Sequence, residues 1–308
     1  MKLATRINSF LPVNENSMDE VFKQFEILGL GYVDLNYPEH TKGFEPAEMK
    51  RLLDNHNLKL NGVALRFKDD YLNGDLGNSD AEIATKAINL CKSAADYCRE
   101  VGGHVVTIWM AHDGFDYSFQ INYLKVWNQL KTAFQEIADY APDLKISIEY
   151  KPFQPRAYAF VDSMGVTGMM LNDIGRKNIG VTLDYCHMLM KHENPAFAAD
   201  IFGASKKLFG IHINDGYGLN DDGLMIGTAS PFKTLEFLYY VKKHEYDGMF
   251  YFDTFPVIEN ATDECKANIE MITKLDSLID SVGMKKIGKI IDKNDAIAAH
   301  KLMINFFK

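Results

Sequence analysis

Four short apolar runs in this chain each end in a residue that can ligate a cation. Ile146-Ser147-Ile148 leads to Glu149, Val181-Thr182-Leu183 to Asp184, Phe209-Gly210-Ile211 to His212, and Phe250-Tyr251-Phe252 to Asp253. One such carboxylate alone reads equally well as a helix cap, because loops begin where strands end and Asp is a common N-cap. Four in series argue differently. A charge placed directly after a buried run is costly, and repeating that cost on neighbouring elements makes sense if a shared cation neutralises the group. Three carboxylates and one imidazole suit a hard or borderline divalent ion such as Mn²⁺, Mg²⁺ or Co²⁺ better than a thiolate-seeking one.

A second group is fainter. His187 follows Asp184 by three residues and would share its face on a helical turn. Asn220-Asp221-Asp222 either completes a second oxygen-rich site or is a solvated acidic loop. Lys151 lies two residues after Glu149, on the same side if the chain is still extended. It either holds a sugar oxygen or forms a salt bridge to Glu149. Other run ends carry aromatic and polar groups of the kind that pack on sugar C–H faces and pair hydroxyls. These are Trp109 with His112, Asp113 and Tyr117, then Arg66 with Phe67, and Asn36 with Tyr37. Trp109 is the foremost candidate for substrate contact. No Gly-rich phosphate loop is evident, which leans toward free sugars.

These residues need elements to position them. Runs rich in Val, Ile, Thr and aromatics predict strands at 3–8, 32–36, 60–66, 104–109, 145–149, 180–184, 209–214 and 249–253. Several are apolar on successive residues, as expected of parallel strands covered on both faces. Three- and four-residue apolar spacing predicts helices at 18–28, 46–56, 81–101, 123–140, 162–174, 195–202, 231–244 and 262–282. Pro46, Pro195 and Pro231 sit where helices open, Gly29 and Gly175 where they close. Eight strands alternating with helices predict an α/β fold, a (β/α)₈ TIM barrel, whose C-terminal strand ends form the active-site mouth. The expected division is a barrel over residues 1–284 and a C-terminal extension over 285–308. The extension should hold a helix at 294–306, with Ile297, Leu302, Ile304 and Phe306 packing on the barrel or a neighbouring subunit.

Composition narrows the function classes. The 308 residues are 47% hydrophobic and 24% charged, an ordinary globular balance. A net charge of −9 argues against a large nucleic-acid footprint. No apolar run is long enough to cross a bilayer, and the first residues read as a strand rather than a signal peptide. Cys91, Cys98, Cys186 and Cys265 are scattered without a CxxC pair, which fits a reducing cytoplasm.

The motifs carry a family resemblance. Ile148-Glu149-Tyr150-Lys151-Pro152 resembles the Glu-x-Lys-Pro element of xylose isomerase and the bacterial L-rhamnose isomerases. Val181-Thr182-Leu183-Asp184-Tyr185-Cys186-His187 resembles their strand-six acid with its following histidine. His212-Ile213-Asn214-Asp215, with Tyr217-Gly218 and Asp221-Asp222, is similar to the L-rhamnose isomerase strand-seven loop, and Phe252-Asp253 to the strand-eight ligand. Trp109-Met110-Ala111-His112-Asp113-Gly114 is similar to the strand-four element.

The resemblance implies a xylose isomerase-like TIM barrel with one or two divalent ions per subunit. Glu149, Asp184, His212 and Asp253 would hold the structural ion, and His187, Asp221 and Asp222 a second. Lys151, His187, Glu149 and Asp253 would be catalytic, and Trp109, Asp113, Arg66 and Phe67 would bind substrate. The implied activity is aldose–ketose isomerisation of a small sugar, with hydrogen moving between C1 and C2. Ketose 3-epimerases share the barrel, as do other metal-dependent sugar and polyol enzymes, so 3-epimerisation is the alternative and a non-catalytic sugar-binding barrel a further one. Lys151 and the presence of Asp253 rather than Glu favour isomerisation. A cytoplasmic homo-oligomer, dimer or tetramer, is expected, with no nucleic-acid or membrane partner.

Overall fold

A computed structural model describes residues 1–11, 17–65 and 67–307. Eight parallel strands form one sheet, Lys2–Thr5, Tyr32–Tyr37, Lys59–Leu65, Val105–Trp109, Lys145–Glu149, Ile179–Asp184, Leu208–Ile213 and Met249–Phe252. They are called the first to the eighth strand below. The ladder runs unbroken from the second strand through the eighth and on to the first. The first and second strands lie side by side, without a hydrogen-bonded ladder among the described residues. The sheet is thus a nearly closed barrel with helices outside it, as the alternating pattern predicts.

The register places the chemistry. Trp109 pairs with Glu149, Glu149 with Thr182, Asp184 with His212 and His212 with Tyr251, so the strand ends rise in two-residue steps around one mouth. Side chains alternate along a strand, and Ser147/Glu149, Thr182/Asp184 and Gly210/His212 share one face. Below the carboxylates these positions form a buried hydroxyl layer, with Ser147 Oγ 2.6 Å from Thr182 Oγ1 and Thr107 Oγ1 at 3.4 Å. Gly210 leaves room for that layer, since a Cβ there would come 2.5 Å from Thr182 Oγ1. The intervening Ile146, Ile148, Val181, Leu183, Ile211 and Ile213 are fully buried, which explains the continuous apolar runs.

Helix starts follow their caps. Ser17 and Glu20 form a capping box for Met18–Ile27, and Asp80, Asn122, Ser163 and Asn194 cap the helices after them. Pro46, Pro195 and Pro231 occupy first turns, and Gly175 closes Met164–Ile174 at φ 64°. The four cysteines are free and buried.

Three expectations about elements change. The first strand stops at Thr5, and residues 7–9 form a single 3-10 turn, which swings Arg6 and Asn8 out of the ladder. The eighth strand stops at Phe252, with Asp253 just beyond it. The tail holds two helices, Met284–Asp292 and Ala296–Asn305, where one was expected. Within it Leu302 and Phe306 pack against the core, whereas Ile297 and Ile304 stay exposed.

Candidate metal centre and sugar pocket

Glu149, Asp184, His212 and Asp253 converge. One ligand atom from each lies within 4.8 Å of every other, and all four residues are buried. His212 Nδ1 stands 3.2 Å from Glu149 Oε1 and 4.0 Å from both Asp184 Oδ2 and Asp253 Oδ2. Donors about 2.1 Å from one ion stand about 3.0 Å apart at right angles and about 4.2 Å apart across it. The observed spacings fall in that interval, so the donor set fits a divalent ion.

Charge crowding says the same. Burial, reinforced by Asp221, Asp253 and Glu149, pushes the Asp184 carboxyl up to about 7, with His187 opposing. Burial disfavours a charged His212, yet Glu149, Asp253 and Asp184 outweigh it and raise the imidazole to about 10. Three carboxylates held this closely need positive charge, and a bound cation would supply it.

A second group adjoins the first and shares Asp184. Ligand atoms of Asp184, His187 and Asp221 also lie within 4.8 Å of one another. Asp184 Oδ1 accepts the backbone N–H of His187 at 3.0 Å, capping the short helix Tyr185–Met190 that carries the imidazole. Cap and candidate ligand, alternatives in the sequence, are therefore one residue. His187 Nε2 lies 3.3 Å from Asp221 Oδ2, while its Nδ1 faces the Tyr150 carbonyl at 3.0 Å. Asp221 Oδ1 is buried and accepts no hydrogen bond among the described residues, which leaves it available to a cation. His187 and Lys151 hold the Asp221 carboxyl below the usual range against the effect of burial.

Lys151 pairs with Asp221 at 2.8 Å rather than with Glu149, and its ammonium lies 5.2 Å from the centre of the Trp109 ring. Trp109, Phe67 and Lys151 line one cavity of about 470 Å³ at the mouth, together with Arg6, Asn36 and His112. Two expected residues lie elsewhere. Asp113 is turned away, its carboxylate accepting the backbone N–H groups of Asp75 and Gly77 at 2.9 and 2.8 Å. Asp222 is turned into its own loop and accepts the Tyr217 N–H at 2.7 Å. Both carboxylates meet backbone amides that loop geometry exposes, a contact invisible in residue spacing. Tyr117 is exposed, Tyr37 lines a separate outer groove, and Arg66 lies outside the described residues.

A profile of the xylose isomerase-like TIM barrels matches residues 22–275. The chain belongs to that family. It is 23% identical over 215 residues to a xylose isomerase from Thermus thermophilus, matching 64% of this chain and 56% of that protein. The chain therefore spans little more than half the length of this curated relative. In structure it resembles a D-tagatose 3-epimerase-like protein, with TM-score 0.74, 17% identity and coverage of 91% of this chain and 99% of the other. It also resembles D-allulose 3-epimerase from Methylomonas sp., with TM-score 0.70, 19% identity and coverage of 83% and 91%.

Within this xylose isomerase-like barrel, three supporting residues escaped the sequence reading. Asn214 is fully buried, accepts the Cys186 N–H at 2.8 Å and donates to the Asp253 carbonyl at 3.1 Å, which ties the sixth and eighth strands across the seventh. Its signal was its place two residues after His212, on the same face. Glu193 accepts the Tyr150 hydroxyl at 2.7 Å and the Met164 N–H at 2.8 Å, and so fixes the segment whose carbonyl faces His187. Arg6, just past the first strand, places Nε 3.8 Å from Asp253 Oδ1. Nothing in their spacing marks Glu193 or Arg6. No helix among the described residues is long and apolar enough to cross a membrane.

Proposed function

We propose that this chain is a divalent-metal-dependent isomerase that interconverts a small aldose and its ketose by moving hydrogen between C1 and C2. The observation that carries the reading is the pair of donor groups joined at Asp184, with the Lys151 ammonium held at their edge between Asp221 and Trp109. Glu149, Asp184, His212 and Asp253 would hold one ion, and Asp184, His187 and Asp221 a second. Such ions, when bound, act as Lewis acid and template for substrate oxygens.

The chain's own residues do the rest. Lys151 donates to the oxygen on C1 and favours the negative charge that develops there. Its placement is firm, because the Asp221 carboxylate and the Trp109 ring leave it little freedom. His187, fixed through Nδ1 by the Tyr150 carbonyl, turns Nε2 toward Asp221, where its lone pair would serve the second ion. Trp109 and Phe67 offer apolar faces to sugar C–H groups and exclude water. The xylose isomerase relative supports this reading.

A second reading is 3-epimerisation, favoured by the likeness to D-allulose 3-epimerase and by Glu149 and Asp253 standing in one cluster from non-adjacent strands. A panel of aldoses and ketoses, incubated with chelated and Mn²⁺-supplemented protein and followed by NMR, tests both. Aldose–ketose interconversion only with metal, lost in Glu149→Gln, is the expected result. Inversion at C3 without aldose formation would replace the first reading with the second.

A further inference from the structure

Three side-chain cations line the mouth cavity among the described residues, and two are committed. Lys68 pairs with Glu39 and Lys151 with Asp221, each at 2.8 Å. Arg6 is not. Its guanidinium lies 4.6 Å from the centre of the Phe255 ring, its Nε is buried without a hydrogen-bond partner, and its carboxylate neighbour, Asp253, stands at 3.8 Å. No side-chain hydrogen bond runs from Arg6 to any described residue. The side chain keeps 28% of its surface exposed and lines the cavity, while its buried Nε meets no acceptor, so this orientation is one a ligand completes.

The platform is built for it. Phe255 can lie beneath Arg6 because Gly223, at φ +56°, carries no side chain there, and a Cβ would come 2.3 Å from the ring. The Phe255 N–H is held by the Gly223 carbonyl at 2.8 Å. Cation–π stacking fixes the guanidinium plane and leaves the edge of the fork open. Neighbouring Glu39 does not compete for it, because Asn8 and Lys68 occupy its carboxylate.

We propose that Arg6 sets the substrate class: the sugar carries a carboxylate remote from its reacting carbon, and Arg6 binds that group through its fork. The inference rests on the reading of the site as a sugar isomerase and names the substrate of that site, a sugar acid. A planar monoanion matches the guanidinium edge better than a hydroxyl does. Among the described residues, five carboxylates, Glu39, Glu149, Asp184, Asp221 and Asp253, meet three cations, Lys68, Lys151 and Arg6, at this end of the barrel. A divalent ion in each donor group makes the mouth positive overall, which suits an anionic ligand.

The test is calorimetric binding of stereochemically matched pairs of aldoses and uronates to the Mn²⁺-loaded full chain, with an aldose 6-phosphate as a third member. At least one uronate should bind about 10- to 100-fold more tightly than its aldose, the range of a charge-assisted hydrogen bond. Arg6→Gln should abolish that gap, and Arg6→Lys should retain part of it. Mn²⁺ affinity, titrated separately, should stay within about threefold of the native chain in both variants. Equal affinity within every pair, a gap that survives in Arg6→Gln, or tighter binding of the phosphate would each overturn the proposal. So would a collapse of Mn²⁺ affinity in Arg6→Gln, which would make Arg6 a support for Asp253. The two readings fail separately: uronate binding without turnover overturns the isomerase, and turnover of neutral sugars with no uronate gap overturns the role of Arg6.

Discussion

Asp184 and Asp221 stand on either side of His187, one capping its helix through the backbone at 3.0 Å and the other facing its ring at 3.3 Å. The carboxylate that starts the helix is thus also a candidate ligand beside the imidazole that the helix presents. Ligand identity and local fold are the same constraint at this position.

Metal should stabilise the fold measurably. An ion that binds only the folded chain adds about 2.7 kcal/mol at a concentration one hundred times its Kd. Mn²⁺ should raise the thermal midpoint by several degrees over chelated protein, and Glu149→Gln should lose most of that rise. Differential scanning calorimetry with and without chelator checks this, and an unchanged midpoint would remove the metal centre.

Replacing Lys151 should separate catalysis from metal binding. Lys151→Met deletes the cation beside Asp221 and Trp109, so turnover should fall about 100-fold, the scale for loss of one oriented donor. Mn²⁺ affinity should hold or increase, because the ammonium repels an ion next to Asp221. Steady-state kinetics paired with Mn²⁺ titration by EPR reads both. A matching loss of metal affinity would show that Lys151 serves the ligands rather than the substrate.

Asn214 should matter to stability beyond its size. Asn214→Ala leaves the Cys186 N–H and the Asp253 carbonyl without their buried partner, a cost of about 2–3 kcal/mol. Asn214→Asp adds a negative charge beside Asp184 and should cost more at neutral pH and less when Mn²⁺ is present. Urea denaturation of both variants, with and without metal, measures the difference.

A pH effect is expected away from the mouth. Burial, with Asp113 beside it, raises the Asp75 carboxyl well above its ordinary value of 3.8. Its folded value exceeds its unfolded one, so its stability contribution is full below 3.8 and is lost as pH rises through the higher folded value. Asp75→Asn, a neutral stand-in for the protonated acid, should flatten that decline. Chemical denaturation midpoints across pH compare the two chains, and parallel curves would count against the paired-acid account.

Much of the site was legible because it is written in strand-end residues. The ladder puts Asp184 level with His212 and Glu149 level with Thr182, two residues below Asp184, and alternation turns all three acidic and imidazole groups to one side, so period-two reasoning reached them directly. Asp113 and Asp222 lie away from the cluster for a different reason. Loop carboxylates are claimed by whichever backbone amides the loop exposes, and sequence does not show those. Arg6 was hidden inside an expected strand, where the 3-10 turn at residues 7–9 could not be anticipated. The helix Met284–Asp292 was missed although Met284, Ile287, Ile290 and Ile291 recur at helical spacing with the lysines opposite them, so its signal was present in the sequence.

The ladder is interrupted at one place, between the first and second strands, where the Asn36 amide donates to Asn8 at 3.0 Å across the gap. The donors on the fifth to eighth strands belong to one continuous hydrogen-bonded arc. Arg6 and Asn8 stand on one lip of the seam and Asn36 on the other. The one opening in the described ladder therefore falls on the side of the cavity lined by Arg6, Asn8 and Asn36, and the strands that carry the candidate ion donors are hydrogen-bonded to one another throughout.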